Sequence, residues 1–202
     1  MRALASFIMQ GRSQAAVAAA GLAVTAWLVP PLSLLSSASL GLVTLREGIT
    51  QALIVAALAS LGLGLISLVV FGHPGAVLVL ALLLWLPMLS LGAVLRSTRS
   101  LAVTIESALA ICILVVAFYL VWEPDPTAQW RDLVAPIVHT LGRTQQLTSE
   151  QESALLEQVL QWMTGAVVAG FFLQMILSLF LARWWQAMLY NPGGFGIEFR
   201  LL

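Results

Sequence analysis

Three consecutive stretches, about 49–71, 76–95 and 101–122, hold one charged side chain between them, Glu106. Each is close to the ~20 residues an α-helix needs to cross the roughly 30 Å hydrocarbon layer of a bilayer. In that layer the backbone must satisfy its own amides and carbonyls, so apolar runs of this length fold as helices. Composition points the same way: 60% of the 202 residues are apolar and 9% are charged, whereas about a quarter of a soluble domain is charged. The expected fold is all-α, a polytopic membrane helical bundle.

The other apolar segments are less regular. One runs from about 14 to 29 and meets Pro30-Pro31, a second from 32 to 45 ends at Arg46-Glu47, and a last one covers about 160–183. Residues 14–45 read either as a hairpin of two short helices or as one long helix kinked at the prolines. The hairpin gives six spans and the kinked helix five. Cytoplasmic flanks carry the excess of Arg and Lys. With six spans and both termini inside, Arg2, Arg12, Arg46, Arg96, Arg99, Arg183 and Arg200 are cytoplasmic, and only Arg131 and Arg143 lie outside. Five spans would move Arg2 and Arg12 to the outer side, so the charges favour six. The expectation is a single transmembrane domain over 1–202 in a bacterial inner membrane, with a periplasmic helical loop at 123–152 and a cytoplasmic tail at 191–202. Arg2 and Arg12 ahead of an apolar run resemble a signal peptide, but the apolar character continues past any cleavage site, so an uncleaved first span is expected.

In the long loop, Asp125-Pro126 is a helix start, with a carboxylate to cap free amides and a proline that lacks one. Trp130, Leu133, Val134, Ile137, Val138 and Leu141 then recur at helical spacing, which predicts an amphipathic helix. Pro136 removes a hydrogen bond from that helix and threatens to split it. Ser149 and Glu152 have the spacing of a capping box, and the helical pattern from there to Tyr190 is too long for one crossing. Its first three turns should project from the membrane. Trp162 lies roughly 33 Å along a helix from Trp184-Trp185, which suits interface anchors. Trp122 and Tyr190 fit the same role.

Polar residues within the spans are those lipid would penalise. Glu106 reads as a substrate-pairing carboxylate or as a structural partner of Arg99, Arg96 or Arg46. Gln174 must find a partner inside the bundle. Trp85, far from either interface and two residues before Pro87, is a candidate for a cavity wall. Ala52, Ala56, Ser60 and Gly64, repeated by Gly165 and Ala169, are small residues at a spacing that lets helices pack closely or dimerise. Nothing points to catalysis or a cofactor. His73 and His139 lack a second metal ligand at metal spacing, Gly193-Gly194-Phe195-Gly196 lacks the Lys of a phosphate loop, and the lone Cys112 sits in an apolar run. With no lysine and zero net charge, nucleic acid is not an expected partner. The bilayer is, with a membrane-protein partner or a second copy as the other candidates.

The string Arg183-Trp184-Trp185-Gln186-Ala187-Met188-Leu189-Tyr190-Asn191-Pro192-Gly193-Gly194-Phe195-Gly196, together with the opening Arg2-Ala3-Leu4-Ala5-Ser6-Phe7-Ile8-Met9-Gln10-Gly11-Arg12, resembles the YybS-like family of bacterial multi-span membrane proteins. That family is distantly similar to the substrate-binding S components of energy-coupling-factor transporters, which are six-helix bundles. The resemblance implies a small-molecule binding or transport subunit. The other class open to this sequence is a non-catalytic accessory subunit of a larger membrane complex. The first requires a cavity near Trp85, Gln174 or Glu106, and the second a filled core with a large apolar contact surface.

Overall fold

A computed structural model describes residues 1–72, 75–122, 125–145 and 148–192. His73 and the tail from Gly193 onward lie outside the described residues. Those described form eight α-helices and no strand: α1 (Arg2–Ile8), α2 (Arg12–Thr25), α3 (Leu32–Glu47), α4 (Ile49–Phe71), α5 (Gly75–Thr98), α6 (Leu101–Trp122), α7 (Pro126–Gln145) and α8 (Ser149–Tyr190). Four helices are long and apolar enough to cross a membrane, over Ile49–Val69, Val77–Thr98, Leu101–Trp122 and within Ser149–Tyr190. Only 22% to 39% of each apolar window is buried within the protein, so most of that surface calls for lipid rather than water.

The chain divides into two compact units, one comprising Met1–Leu109 and Leu173–Leu202 and the other Ala110–Phe172. Within the first, residues 14–45 form a hairpin. Successive turns over 26–31, including Val29 N–H to Thr25 O and Ser33 N–H to Pro30 O at 3.0 Å each, reverse the chain after α2. Ser36 Oγ then donates to Ala19 O at 2.8 Å. In one continuous helix those residues would stand roughly 25 Å apart at 1.5 Å per residue. α2 and α3 have 14 and 16 residues, about 21 and 24 Å of helix, which is short for a bilayer crossing.

The reason α3 can be short is that it is the core. Ten consecutive residues, Ser36 to Leu45, are buried, so the helix is covered on every side rather than along one stripe. Its small residues set the spacing of its neighbours. A methyl on Gly92 of α5 would lie 2.9 Å from Cβ and Cγ2 of Thr44, and one on Gly41 would meet the side chain of Met88 and lie 3.0 Å from Ala182 Cβ. Against α5 the pairings are Ser36 with Trp85, Gly41 with Met88, Thr44 with Gly92 and Gly48 with Arg96. Against α8 they are Ser33 with Gln174, Gly41 with Ala182 and Leu45 with Gln186, each separated by 141 residues. Partner numbers rise together in both cases, so α3, α5 and the second half of α8 run parallel.

α1 answers to no sequence expectation. Its seven residues bury Ala5 and Ile8, an apolar pair one turn apart that the arginine flank conceals. On α4, Ala52 and Ala56 are buried, but the buried line continues through Ala59, Leu63 and Ser67. Ser60 is half-buried and Gly64 faces open space.

The second unit contains the antiparallel pair α7 and the first half of α8. Asp125 Oδ1 caps α7 by accepting Ala128 N–H at 3.2 Å, and the helix passes Pro136 without a break. Trp130, Val134 and Val138 pack on Leu155, Leu156, Val159, Leu160 and Met163. Leu133, Ile137 and Leu141, each one residue earlier than a member of the buried 134–138–142 row and so about 100° around the helix, are exposed. The expected single apolar face is thus two stripes, one covered and one not. The capping box is built by Thr148 and Gln151 instead of Ser149 and Glu152: Gln151 N–H donates to Thr148 Oγ1 at 3.4 Å, and Thr148 N–H to Gln151 Oε1 at 3.0 Å. Thr-x-x-Gln satisfies the same geometry, and it leaves the Glu152 carboxylate for His139 Nδ1, 3.1 Å away.

The packing of α3 makes a direct prediction. Gly92→Ala pushes a methyl into Thr44 and should cost about 1–3 kcal/mol, whereas Gly64→Ala, in open space, should be neutral or stabilising by up to ~1 kcal/mol from helix propensity. Unfolding midpoints of the two variants in the same detergent check this, and equal loss in both would contradict the packing.

Candidate functional site

At the end of the first unit where α2 turns into α3 lies a cavity of about 350 Å³. The hairpin supplies Ala23, Ala26, Trp27, Pro30, Ser33 and Ser36, and the first half of α5 supplies Val77, Leu80, Ala81, Leu84 and Trp85. The volume falls in the range of small-molecule sites, which are typically apolar with a few fixed polar groups. Among the described residues the walls are alanines, aliphatics, a proline and two indoles, and the polar groups are two serine hydroxyls.

Those hydroxyls are held in place. Trp85 is 1% exposed, and its Nε1–H donates to Ser36 Oγ at 3.0 Å, while Ser36 Oγ donates onward to Ala19 O at 2.8 Å. The chain Trp85–Ser36–Ala19 ties α5, α3 and α2 together behind the cavity and fixes the plane of the indole. Ser33 Oγ donates to Pro30 O at 2.7 Å and reaches Gln174 Oε1 at 3.4 Å. Trp85 therefore lines the cavity. Gln174 stands behind Ser33, and Glu106 takes no part. Pro87 is buried within α5 and is not among the lining residues.

A polar seam leads away from the cavity along α3 and α8. Gln174 Nε2, Ser37 Oγ, Ser178 Oγ and Trp185 Nε1 are buried without a hydrogen-bond partner among the described residues. The constant separation of 141 sets Ser37 and Ser178 at the same level, between the Ser33–Gln174 and Gly41–Ala182 pairings. Sequence reading singled out Gln174 but missed Ser33, Ser36 and Ser37. The available signal was their number: three hydroxyls at 33, 36 and 37 in a segment otherwise apolar enough for lipid.

The remaining candidates lie apart. Glu106 is exposed on α6 and makes no ion pair or hydrogen bond among the described residues. Trp122 is exposed and stacks on Phe118, with centroids 6.0 Å apart. Trp162 and Trp184 are exposed, Trp185 is fully buried, and Tyr190 carries the Arg46 guanidinium 4.2 Å above its ring. Gly165 and Ala169 face outward. His139 is on the surface of α7 beside Glu152.

Comparison with known proteins adds no assignment: no family model, curated protein or solved structure matches the chain.

The hydrogen-bonded and unbonded serines should behave oppositely. Ser36→Ala strips a buried indole of its acceptor and should cost about 1–3 kcal/mol, whereas Ser178→Ala removes an unpaired buried hydroxyl and should be neutral or stabilising. Thermal unfolding of both variants in detergent measures the difference. A large loss in Ser178→Ala would mean its hydroxyl has a partner.

Proposed function

We propose that this protein is a non-catalytic integral membrane subunit that binds a small, largely apolar molecule in the cavity between the α2–α3 hairpin and α5. The observation that carries the reading is the cavity itself, with Trp85 locked by Ser36 as its inner wall. A preformed wall of this kind lowers the ordering cost of binding. The resemblance of 2–12 and 183–196 to the YybS-like family, and through it to S components, supports the same class on the sequence side.

Topology belongs to the same proposal: six crossings, with both termini in the cytoplasm of a bacterial cell. The hairpin supports it by returning α3 to the end at which α2 began. Parallel α3, α5 and α8 support it too, since all three would then enter from the outer face. α2 and α3 would complete the bundle although shorter than the bilayer, because the longer helices around α3 keep lipid away from it.

The second reading is an accessory subunit or a self-associating one. Two observations favour it: the uncovered stripe Leu133, Ile137 and Leu141 on α7, and outward-facing Gly165 and Ala169 on α8, a spacing that admits a second helix closely.

The two readings separate on one variant. Native mass spectrometry of the protein extracted in mild detergent should show a small-molecule adduct that Ala26→Phe, which fills the cavity, abolishes, while Val17→Phe on an exposed position of α2 keeps it. An adduct unaffected by Ala26→Phe, or none at all, overturns cavity binding. Topology is tested in a Cys112→Ser background: a cysteine at Ser97 should react with a membrane-impermeant maleimide only after the inner face is opened, and one at Arg143 from outside. Reversed labelling would invert the orientation.

A further inference from the structure

The cavity beside the α2–α3 hairpin lies at membrane depth. Its five lining residues on α5, from Val77 to Trp85, all belong to the apolar stretch Val77–Thr98 that is long enough to cross a bilayer. Val77 and Trp85 stand roughly 12 Å apart along the helix axis, so the lining runs inward from the start of that stretch to the Trp85 indole. Trp27 and Pro30 on the hairpin and Leu80 on α5 line the space and are also exposed. At this depth the medium outside an apolar helix is hydrocarbon rather than water.

The donors on the wall are engaged by the protein itself. Trp85 Nε1–H donates to Ser36 Oγ, Ser36 Oγ to Ala19 O, and Ser33 Oγ to Pro30 O. A hydroxyl has one proton and an indole nitrogen one, so these three groups have no further proton to give an occupant. A water would need about two to four polar partners, and a ligand with hydrogen-bonding groups of its own would leave behind those it made in water. A hydrocarbon has no such bonds to lose. Coming from lipid it makes no hydrophobic gain either. What it gains is dispersion contact with alanine, leucine and indole surfaces that would otherwise face a gap.

We infer that the occupant is a hydrocarbon chain of a membrane lipid, which enters sideways from the bilayer past Trp27 and Leu80 while its head group stays at the interface where α5 begins. Trp85 sets how far the chain reaches, because the bond to Ser36 holds the indole in place at the inner end. The small side chains of Ala23, Ala26 and Ala81 leave the width a chain needs. This assignment rests on the binding role proposed above for the same cavity, and it names the class of ligand and its route.

The full chain reconstituted in vesicles of phosphatidylcholine brominated at mid-chain provides the test, because bromine quenches an indole on contact. Exposed tryptophans such as Trp122 and Trp162 are quenched in any case, so the Trp85 share of the emission is read as the parent minus Trp85→Phe. Trp85 is 1% exposed, and a chain touches it by entering the cavity it lines. A chain favoured about tenfold over the empty space is present about nine times in ten, so the Trp85 share should fall about twofold or more relative to unbrominated vesicles. Ala26→Phe should restore it, and Ala23→Leu, a milder filling of the same space, should restore part of it. Val17→Phe, at an exposed position of α2, should leave the quenching as it is. Each variant is read against its own Trp85→Phe counterpart. Native mass spectrometry of the same preparations separates two kinds of failure. If Trp85 stays unquenched while an adduct sensitive to Ala26→Phe is present, the cavity binds something other than a lipid chain and this assignment alone falls. If Trp85 stays unquenched and no such adduct exists, the binding role falls with it. Quenching that Ala26→Phe and Ala23→Leu both leave intact also overturns the assignment.

Discussion

A helix buried on every side imposes the conditions the first unit must meet. α3 has no lipid-facing stripe over Ser36–Leu45, and between helices in a membrane there is no hydrophobic force to draw neighbours onto it. Contact has to come from close approach and hydrogen bonding. Gly41 and, on α5, Gly92 provide the approach. Hydroxyls provide the bonds, and they do so in two ways. Ser39 and Thr44 turn back on the carbonyls of Leu35 and Leu40, at 2.7 and 2.8 Å, which satisfies them inside their own helix at no cost to packing. Ser36 instead reaches out, bonding α2 and accepting from α5. The same chemistry that joins the helices therefore fixes the indole at the cavity wall.

This arrangement explains what could be read from the sequence. The candidate spans α4, α5 and α6 were legible because each is long, apolar and little covered by protein, a composition that a lipid solvent dictates. Their bounds in the structure fall within a few residues of the expected ones. The hairpin at 14–45 was ambiguous because both alternatives satisfy the same hydropathy, and only long-range contacts such as Ser36 to Ala19 distinguish a turn from a kink. The role of α3 was hidden for a related reason. Burial by protein and burial by lipid select similar side chains, so a central helix and a peripheral one look alike until the serines are counted.

Trp85 and Gln174 emerged from asking which residues lipid would reject, a question with a physical answer at single positions. Glu106 passed the same filter but stands exposed and, among the described residues, unpaired, since the filter detects cost and cannot say where the compensation lies. Arg99 reads from the sequence as an inner-face charge and a candidate partner of Glu106, but its backbone angle, φ 53°, leaves no trace there: the sequence around it, Ser97-Thr98-Arg99-Ser100, holds no glycine to announce a left-handed residue. Ser100 starts the next helix by accepting Val103 N–H at 3.3 Å, so the chain must turn sharply at Arg99 whatever side chain it carries.

The second unit is held by different forces, and the contrast bears on what surrounds each. α7 and the first half of α8 join through branched and aromatic side chains, Trp130, Val134 and Val138 against Leu155, Val159 and Leu160. The indole Nε1–H of Trp130 finds Thr164 Oγ1 at 2.9 Å, and Arg131 and Glu157 pair at 2.6 Å with both side chains about half exposed or more. Apolar side chains meeting in the middle with ion pairs at the rim is how helices pack in water, where burial drives association and an exposed ion pair adds roughly 0–1 kcal/mol. Small residues, inward-turned hydroxyls and a bare apolar exterior are how they pack in lipid. Both sets occur in this chain, and α8 carries one on its first half and the other on its second. A helix of 42 residues, roughly 63 Å long, exceeds the bilayer about twofold. It accommodates both kinds of packing because its composition changes partway along, from the Glu-rich turns after Ser149 to the uncharged run between Trp162 and Ala182.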